Sequence, residues 1–303
     1  MLTNQPIQFR GLRVSRSHVL ASILLAACVS QAQASEWSDT FIGYRYGTSF
    51  REPANTNEIA KNIFSLTHAS GYKYGTNFFT VDMLKSDSND PASGAFQGAN
   101  PGGAQEVFAV YRHTLSFSKV SGSSMKFGPV RDVGAVLGFD FSSKNDDFGA
   151  RVRRPLGGLS VSLDVPGFWN VGVLYQGERN HNGIVPLIGN PPGMTSDVHF
   201  KNTWRLETSW SIPFHAGIPA KFGGFLNYVA PKGNDGFGAA TKAELLTEVS
   251  VLFDVGSLAG QKDTFYAGVG YQYWRNKFGN DSRADATGGA TAKVPQVLVE
   301  AHF

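Results

Sequence analysis

Ten residues at the end of the chain, Val294 to Phe303, alternate without a break. Pro295, Val297, Val299, Ala301 and Phe303 fall on one face; Gln296, Leu298, Glu300 and His302 fall on the other. Successive side chains of a strand point to opposite faces, so this segment is a strand with one apolar and one mostly polar side. Such a wall suits a barrel that lipid wets outside and water wets inside. Beyond the first thirty-odd residues, no apolar run reaches the ~20 residues that a spanning helix needs. Membrane passage, if this chain makes it, is by strands. A mean hydropathy of −0.17 is no obstacle, because barrels interleave their lipid-facing residues with polar ones.

The other end reads as an export signal over residues 1–34. Arg10, Arg13 and Arg16 make a basic n-region, Val19 to Val29 an apolar core, and Ala32-Gln33-Ala34 a small-residue cleavage site before Ser35. Leu25-Ala26-Ala27-Cys28 offers an alternative, a lipobox whose cysteine becomes the lipidated N-terminus. Cys28 is the only cysteine, so a chain cut after Ala34 has no disulfide framework, thiolate nucleophile or cysteine zinc site. Charge shifts with cleavage. Residues 1–34 hold three of the 27 basic residues and none of the 24 acids, leaving 24 of each sign. A balanced chain argues against nucleic acid as a partner.

Period-2 segments bounded by turn residues give about twelve strands over residues 35–303. The fold expected is all-β, a transmembrane antiparallel barrel whose even strand count returns both termini to one side. The connections sort by parity. Thr48–Ile59, Lys85–Ala104, Ser143–Leu156, Arg179–Val198, Pro231–Ala240 and Asn276–Lys293 are long; the alternate ones are mostly shorter, with Lys119–Val130 the exception. Long loops on one side and short turns on the other is the asymmetry of bacterial outer-membrane barrels.

The apolar set fixes the faces. In the fourth strand, Gln105–Ser118, Val107, Ala109, Tyr111, Leu115 and Phe117 point to lipid, leaving Glu106, Phe108, Arg112 and Thr114 in the lumen. In the eighth, His199–Ser211, Trp204, Leu206 and Trp210 point out; Lys201, Arg205, Glu207 and Ser209 point in. The tenth, Thr241–Phe253, sends Lys242, Glu244 and Glu248 inward, and the eleventh, Thr264–Arg275, sends Tyr266, Gln272 and Trp274. Arg or Lys on the lipid face near the midplane costs about 2–4 kcal/mol, which enforces the partition. His113 lands on the outer face of the fourth strand and resists it.

A lumen carrying both signs of charge with aromatics among them suits a neutral polar solute with a flat ring: rings stack and charges hydrogen-bond its edges. Paired charges and aromatics also fill a small barrel without any ligand. Four segments carry a family resemblance: Phe41-Ile42-Gly43-Tyr44-Arg45-Tyr46-Gly47, Asn77-Phe78-Phe79-Thr80-Val81-Asp82, Phe127-Gly128-Pro129 and Tyr271-Gln272-Tyr273-Trp274-Arg275-Asn276-Lys277-Phe278-Gly279. With the aromatic C-terminus, the chain resembles the nucleoside-specific outer-membrane channels, the Tsx-like family, and within it the outer envelope protein branch. The resemblance implies a monomeric twelve-stranded barrel in the bacterial outer membrane, passing nucleosides through weak sequential sites with no cofactor. It also implies recognition of Phe303 by the barrel-assembly machinery. Its motifs point to Arg45, Phe78, Asp82, Gln272 and Trp274 as solute contacts. The lining argument adds Glu106, Phe108, Arg112, Arg205 and Glu207, with Glu106 or Asp140 as the partner of Arg112.

An outer-membrane phospholipase is the enzymatic alternative. It needs a serine and a histidine in hydrogen-bond reach with an orienting partner. His113 points outward, and His181 lies in a loop without a companion serine, so the expectation is no catalysis. Asp87-Ser88-Asn89-Asp90 lacks the glycine and closing glutamate of a calcium loop and reads as a solvated extracellular loop. A mainly structural barrel, or a surface receptor using the long loops, is the remaining alternative.

Overall fold

The computed structural model describes residues 35–92, 102–145 and 149–303. The export signal therefore lies outside the described residues, and the barrel is the unit Glu36–Phe303.

Twelve long strands carry the fold: β1 (Trp37–Phe50), β2 (Ile59–Tyr72), β3 (Gly75–Ser86), β4 (Gln105–Ser116), β5 (Val130–Lys144), β6 (Arg153–Leu163), β7 (Phe168–Gln176), β10 (Thr203–Ala216), β11 (Ile218–Val229), β12 (Glu244–Asp254), β13 (Phe265–Arg275) and β14 (Thr291–His302). Two three-residue strands, β8 (Arg179–His181) and β9 (Asp197–His199), form a small hairpin inside the long β7–β10 connection. Each long strand pairs antiparallel with its chain neighbours, and β1 pairs with β14. The ring is closed, so none of the twelve long strands presents an unpaired edge. Among the described residues no helix is long and apolar enough to cross a membrane.

The loop parity read from the sequence is present. One end of the barrel has tight turns, Gly217 alone between β10 and β11 being the shortest; its φ of +79° is a left-handed conformation that glycine adopts at least cost. The exception, after β4, has a physical cause. Ser116 Oγ accepts from the amide of Lys119 at 3.0 Å and caps a short helix, Phe117–Ser121. The strand stops there, so Phe117 is not on its outer face as the sequence suggested. Two other edges also retract. Lys201 and Lys242 lie before the starts of β10 and β12, in the connections rather than in the lumen.

Outward faces are apolar. Leu137, Leu159, Val173, Tyr175 and Val269 are all more than half exposed, a surface that water alone would not favour in so large a continuous band. Paired aromatics mark both ends of this band. Trp204 and Tyr228 lie 5.4 Å apart toward the long loops, and Trp169 and Trp210 6.0 Å apart toward the short turns. His113 is reconciled by company. Its ring nitrogens meet Asn77 Oδ1 at 2.9 Å and the Tyr72 hydroxyl at 3.1 Å, so the outward imidazole stays hydrogen-bonded near the short-turn rim.

Two apolar clusters narrow the interior. Phe50, Ile59, Ile63, Ala292 and Val294 pack together near the long loops, and Val136, Leu156 and Leu174 fill the opposite wall. Closure rests on the last strand. Val297 and Val299 point out, Gln296 and Leu298 are buried inside, and the amide of Phe303 donates to the Thr40 carbonyl at 3.0 Å while its ring stays exposed. Deleting Phe303 is expected to lower the yield of folded, heat-modifiable barrel and raise periplasmic degradation at low expression. An unchanged folded yield would separate this terminus from assembly.

Candidate functional site in the lumen

Inside the ring, charged side chains gather into two hubs. The first centres on Glu248 of β12. One of its oxygens accepts from Arg45 of β1; the other accepts from the amides of Gln272 and Gln296, both at 3.2 Å. Arg45 also reaches Asp82 of β3, and Asp82 accepts from Ser65 Oγ at 2.7 Å. Strands from β12 round to β3 thus meet in one polar group, because each contributes an inward position of its alternation.

The second hub centres on Asp140 of β5. It accepts from Arg205 at 2.7 Å, Arg112 at 2.8 Å and Arg154 at 3.1 Å. Glu207 of β10 holds Arg112 in a two-pronged pair at 2.9 and 2.8 Å, a geometry that suits the planar guanidinium, and takes Arg205 at 2.7 Å. The hub continues into the loops: Arg154 reaches Glu178 at 2.9 Å, and Glu178 meets Lys232 at 2.7 Å. Burial pushes the Glu178 carboxyl up, but Arg154 and Lys232 outweigh it and hold the group below its ordinary value.

The hubs stand on different arcs of the ring, β12–β3 and β4–β10, and no ion pair among the described residues joins them. Where the arcs meet, aromatics alternate with charge. At the β3–β4 seam Phe78 lies opposite Arg112 and Asp82 opposite Phe108. At the other seam, on β11, Phe225 lies opposite Glu248 and Asn227 opposite Glu207. Several buried polar atoms in these walls have no protein partner: Arg45 Nε, Arg205 Nε, Asn227 Oδ1 and Gln296 Oε1. At the short-turn end lies a cavity of about 380 Å³ whose lining includes Phe168, Ser211, Lys221 and Tyr266.

The ten residues singled out in the sequence all sit at inward positions, but not in one place. Arg45, Asp82 and Gln272 share the first hub; Arg112, Arg205 and Glu207 share the second; Phe78 and Phe108 lie at the seam. Trp274 is taken up by packing. Its Nε1 donates to Glu244 at 2.8 Å, Lys277 lies 4.5 Å over its ring, and it rests on the Phe50 cluster. Glu106 is not the partner of Arg112. It sits six positions before it on β4, opposite Lys144, while Arg112 takes Asp140 and Glu207. Nor is the Asp87–Asp90 segment simply solvated, since the Asp90 carboxylate is buried against Lys144 at 3.4 Å.

The centres of both hubs, Glu248 and Asp140, were absent from that set of ten. Asp140 stands between outward Phe139 and Phe141, so the alternation alone marks it as an inward acid.

No family model matches the sequence, and no curated protein matches it. Solved structures resembling the chain include a KdgM porin, at 11% identity, covering 87% of this chain and 99% of that one, with a TM-score of 0.41. The translocator domain of the autotransporter NalP from Neisseria meningitidis matches at 12% identity, covering 95% and 96% of the two chains, with a TM-score of 0.39. OprB from Pseudomonas putida matches at 10% identity, covering 95% and 97%, with a TM-score of 0.31.

Proposed function

We propose that this chain is a passive, solute-selective channel of the bacterial outer membrane, and that its solutes are nucleosides or small neutral molecules of the same shape. One observation carries the reading. Two self-paired charge hubs form facing walls, and the seams between them alternate Phe78, Phe108 and Phe225 with Arg112, Asp82 and Glu248. Ions gain little from walls in which every charge already has an opposite neighbour and the one excess charge of each hub, negative in the first and positive in the second, opposes the other. A flat ring can stack on a seam phenylalanine while its sugar hydroxyls meet wall carboxylates that stay in contact with the lumen, such as Asp82 and Glu207. Each contact is weak and repeated, which flux requires. The Tsx-like sequence motifs favour nucleosides over other ring-bearing solutes, and the apolar outer band favours a lipid surround.

Catalysis has less support. His113 is held by Tyr72 and Asn77, neither of which supplies the serine nucleophile of a phospholipase.

The test is electrical. With purified protein in a planar bilayer, nucleosides should lower single-channel current saturably, while the matching free sugars do little. Phe78→Ala should weaken the block by about 1–3 kcal/mol if the ring stacks on a base. Current indifferent to every nucleoside would leave the barrel standing and remove the solute assignment.

A further inference from the structure

The long-loop mouth holds a charge cluster that the neutral-solute reading does not use. Glu52 lies in the β1–β2 connection, yet it is only 7% exposed. Three ammonium groups converge on its Oε1: Lys61 at 2.9 Å, Lys277 at 3.2 Å and Lys144 at 3.7 Å. They come from far apart. Lys61 points inward from β2, Lys144 ends β5, and Lys277 follows β13. Around the ring the order runs β13, β14, β1, β2, β3, β4, β5, so Lys277 and Lys144 approach from opposite sides. A single carboxylate that touches both gathers side chains from opposite arcs of the ring into one cluster at the mouth.

The backbone carrying it is fixed. The Glu52 carbonyl accepts from Asn55 N at 3.1 Å and presses on Gly289, where a Cβ would come within 1.9 Å of it. The side chain is held by its ion pairs. Two further acids stand nearby: Glu106 lies opposite Lys144 in the β4–β5 register, and Asp90 is the other. Asp90 meets Lys144 at 3.4 Å and Lys61 only at 3.9 Å. Burial, with Lys61 and Lys144 nearby, pushes the Lys277 ammonium down to about 8 in spite of Glu52. Burial would raise the Glu52 carboxyl, but the three lysines hold it well below the usual carboxylate range.

We propose that Lys61, Lys144 and Lys277 form an anion-binding station at the long-loop mouth, which accepts the carboxylate or phosphate group of a small acidic solute in exchange for the Glu52 side chain. Glu52 itself shows that the cage fits a carboxylate. It acts as a resident competitor: bound in the cage it pairs the three ammonium groups, and a solute anion that displaces it takes over that pairing while the arm swings aside. Acidic solutes therefore have a place to dock apart from the neutral-solute slot, the space between the two hubs. The station and the slot are separate, and either could exist without the other.

The experiment uses the full chain in a planar bilayer, with acetate and phosphate as the probes, each added from the long-loop side. In the native protein both should change single-channel conductance saturably but weakly. Glu52→Ala removes the competitor. Its apparent affinity for the better probe should rise about tenfold or more, the gain expected if Glu52 fills the cage at least nine-tenths of the time. Adding Lys277→Gln to that variant should abolish the gain. Whether acetate or phosphate gains more tells which headgroup the cage prefers. Block by nucleosides should be the same in Glu52→Ala as in the native channel, which keeps this result apart from the solute assignment of the slot. If Glu52→Ala fails to assemble, Glu52→Gln removes the charge at nearly constant volume and should show the same gain. No gain for either anion in whichever variant folds would overturn the proposal.

Discussion

Asp140→Ala is expected to be the most damaging single substitution in this barrel, costing about 3–5 kcal/mol of stability, the usual result of removing one partner from a buried ion pair. The Asp140 side chain is 1% exposed and receives three arginines. Arginine cannot escape by losing its proton, because the delocalised guanidinium stays charged at every pH a protein meets. Removing the carboxylate would leave Arg112, Arg154 and Arg205 sharing Glu207 and Glu178, with Lys232 also leaning on Glu178. Four cations would then divide two anions inside the wall. Asp140→Asn should cost less, since its amide oxygen still accepts while its nitrogen faces a guanidinium. Pairing Asp140→Ala with Arg205→Met should recover part of the loss, because one orphaned charge goes with it. The readout is the midpoint of urea unfolding in detergent, followed by the shift between folded and unfolded bands on unheated gels. A loss below about 1 kcal/mol would mean that lumenal water screens the hub as it screens a surface pair.

The barrel was legible because its constraint repeats. Every strand crossing an apolar band must alternate, so Trp204 against Arg205 or Val297 against Gln296 declares its face without any knowledge of neighbours. Inward residues were legible for the same reason, and all ten chosen positions lie inside. Which of them meet was not legible. Arg112 finds Glu207 across the lumen, on a strand far from its own in the ring, and nothing local favours that partner over Glu106 on the same strand. Connections hid the most. Glu52, Asp90, Glu178, Lys232 and Lys277 have no period-2 pattern to follow, and a chain segment that reads as a wet loop can fold its charges inward once other loops supply counter-ions. The β8–β9 hairpin escaped for a similar cause, since three-residue strands are too short to show a period.

Arg45→Met is expected to change what passes through the pore more than it changes the fold. Arg45 is the only cation touching both Asp82 and Glu248 among the described residues. Its loss would leave two carboxylates facing the bore, and a passing cation would feel both. Even at the dielectric of bulk water a unit charge 4 Å away contributes about 1 kcal/mol, so the cation-to-anion permeability ratio should rise at least ~5-fold. The fold has more protection here than at Asp140. Asp82 keeps its bond from Ser65, and Glu248 keeps those from Gln272 and Gln296. Both carboxylates also retain some contact with the lumen, at 16% and 10% exposure, where water and mobile cations screen them. Reversal potentials across a salt gradient give the ratio directly, and the unfolding midpoint measured on the same preparation separates pore from fold. A ratio that stays put while the midpoint collapses would make this hub a structural brace, and a shift toward anions would mean that Arg45 does not govern the field of the slot.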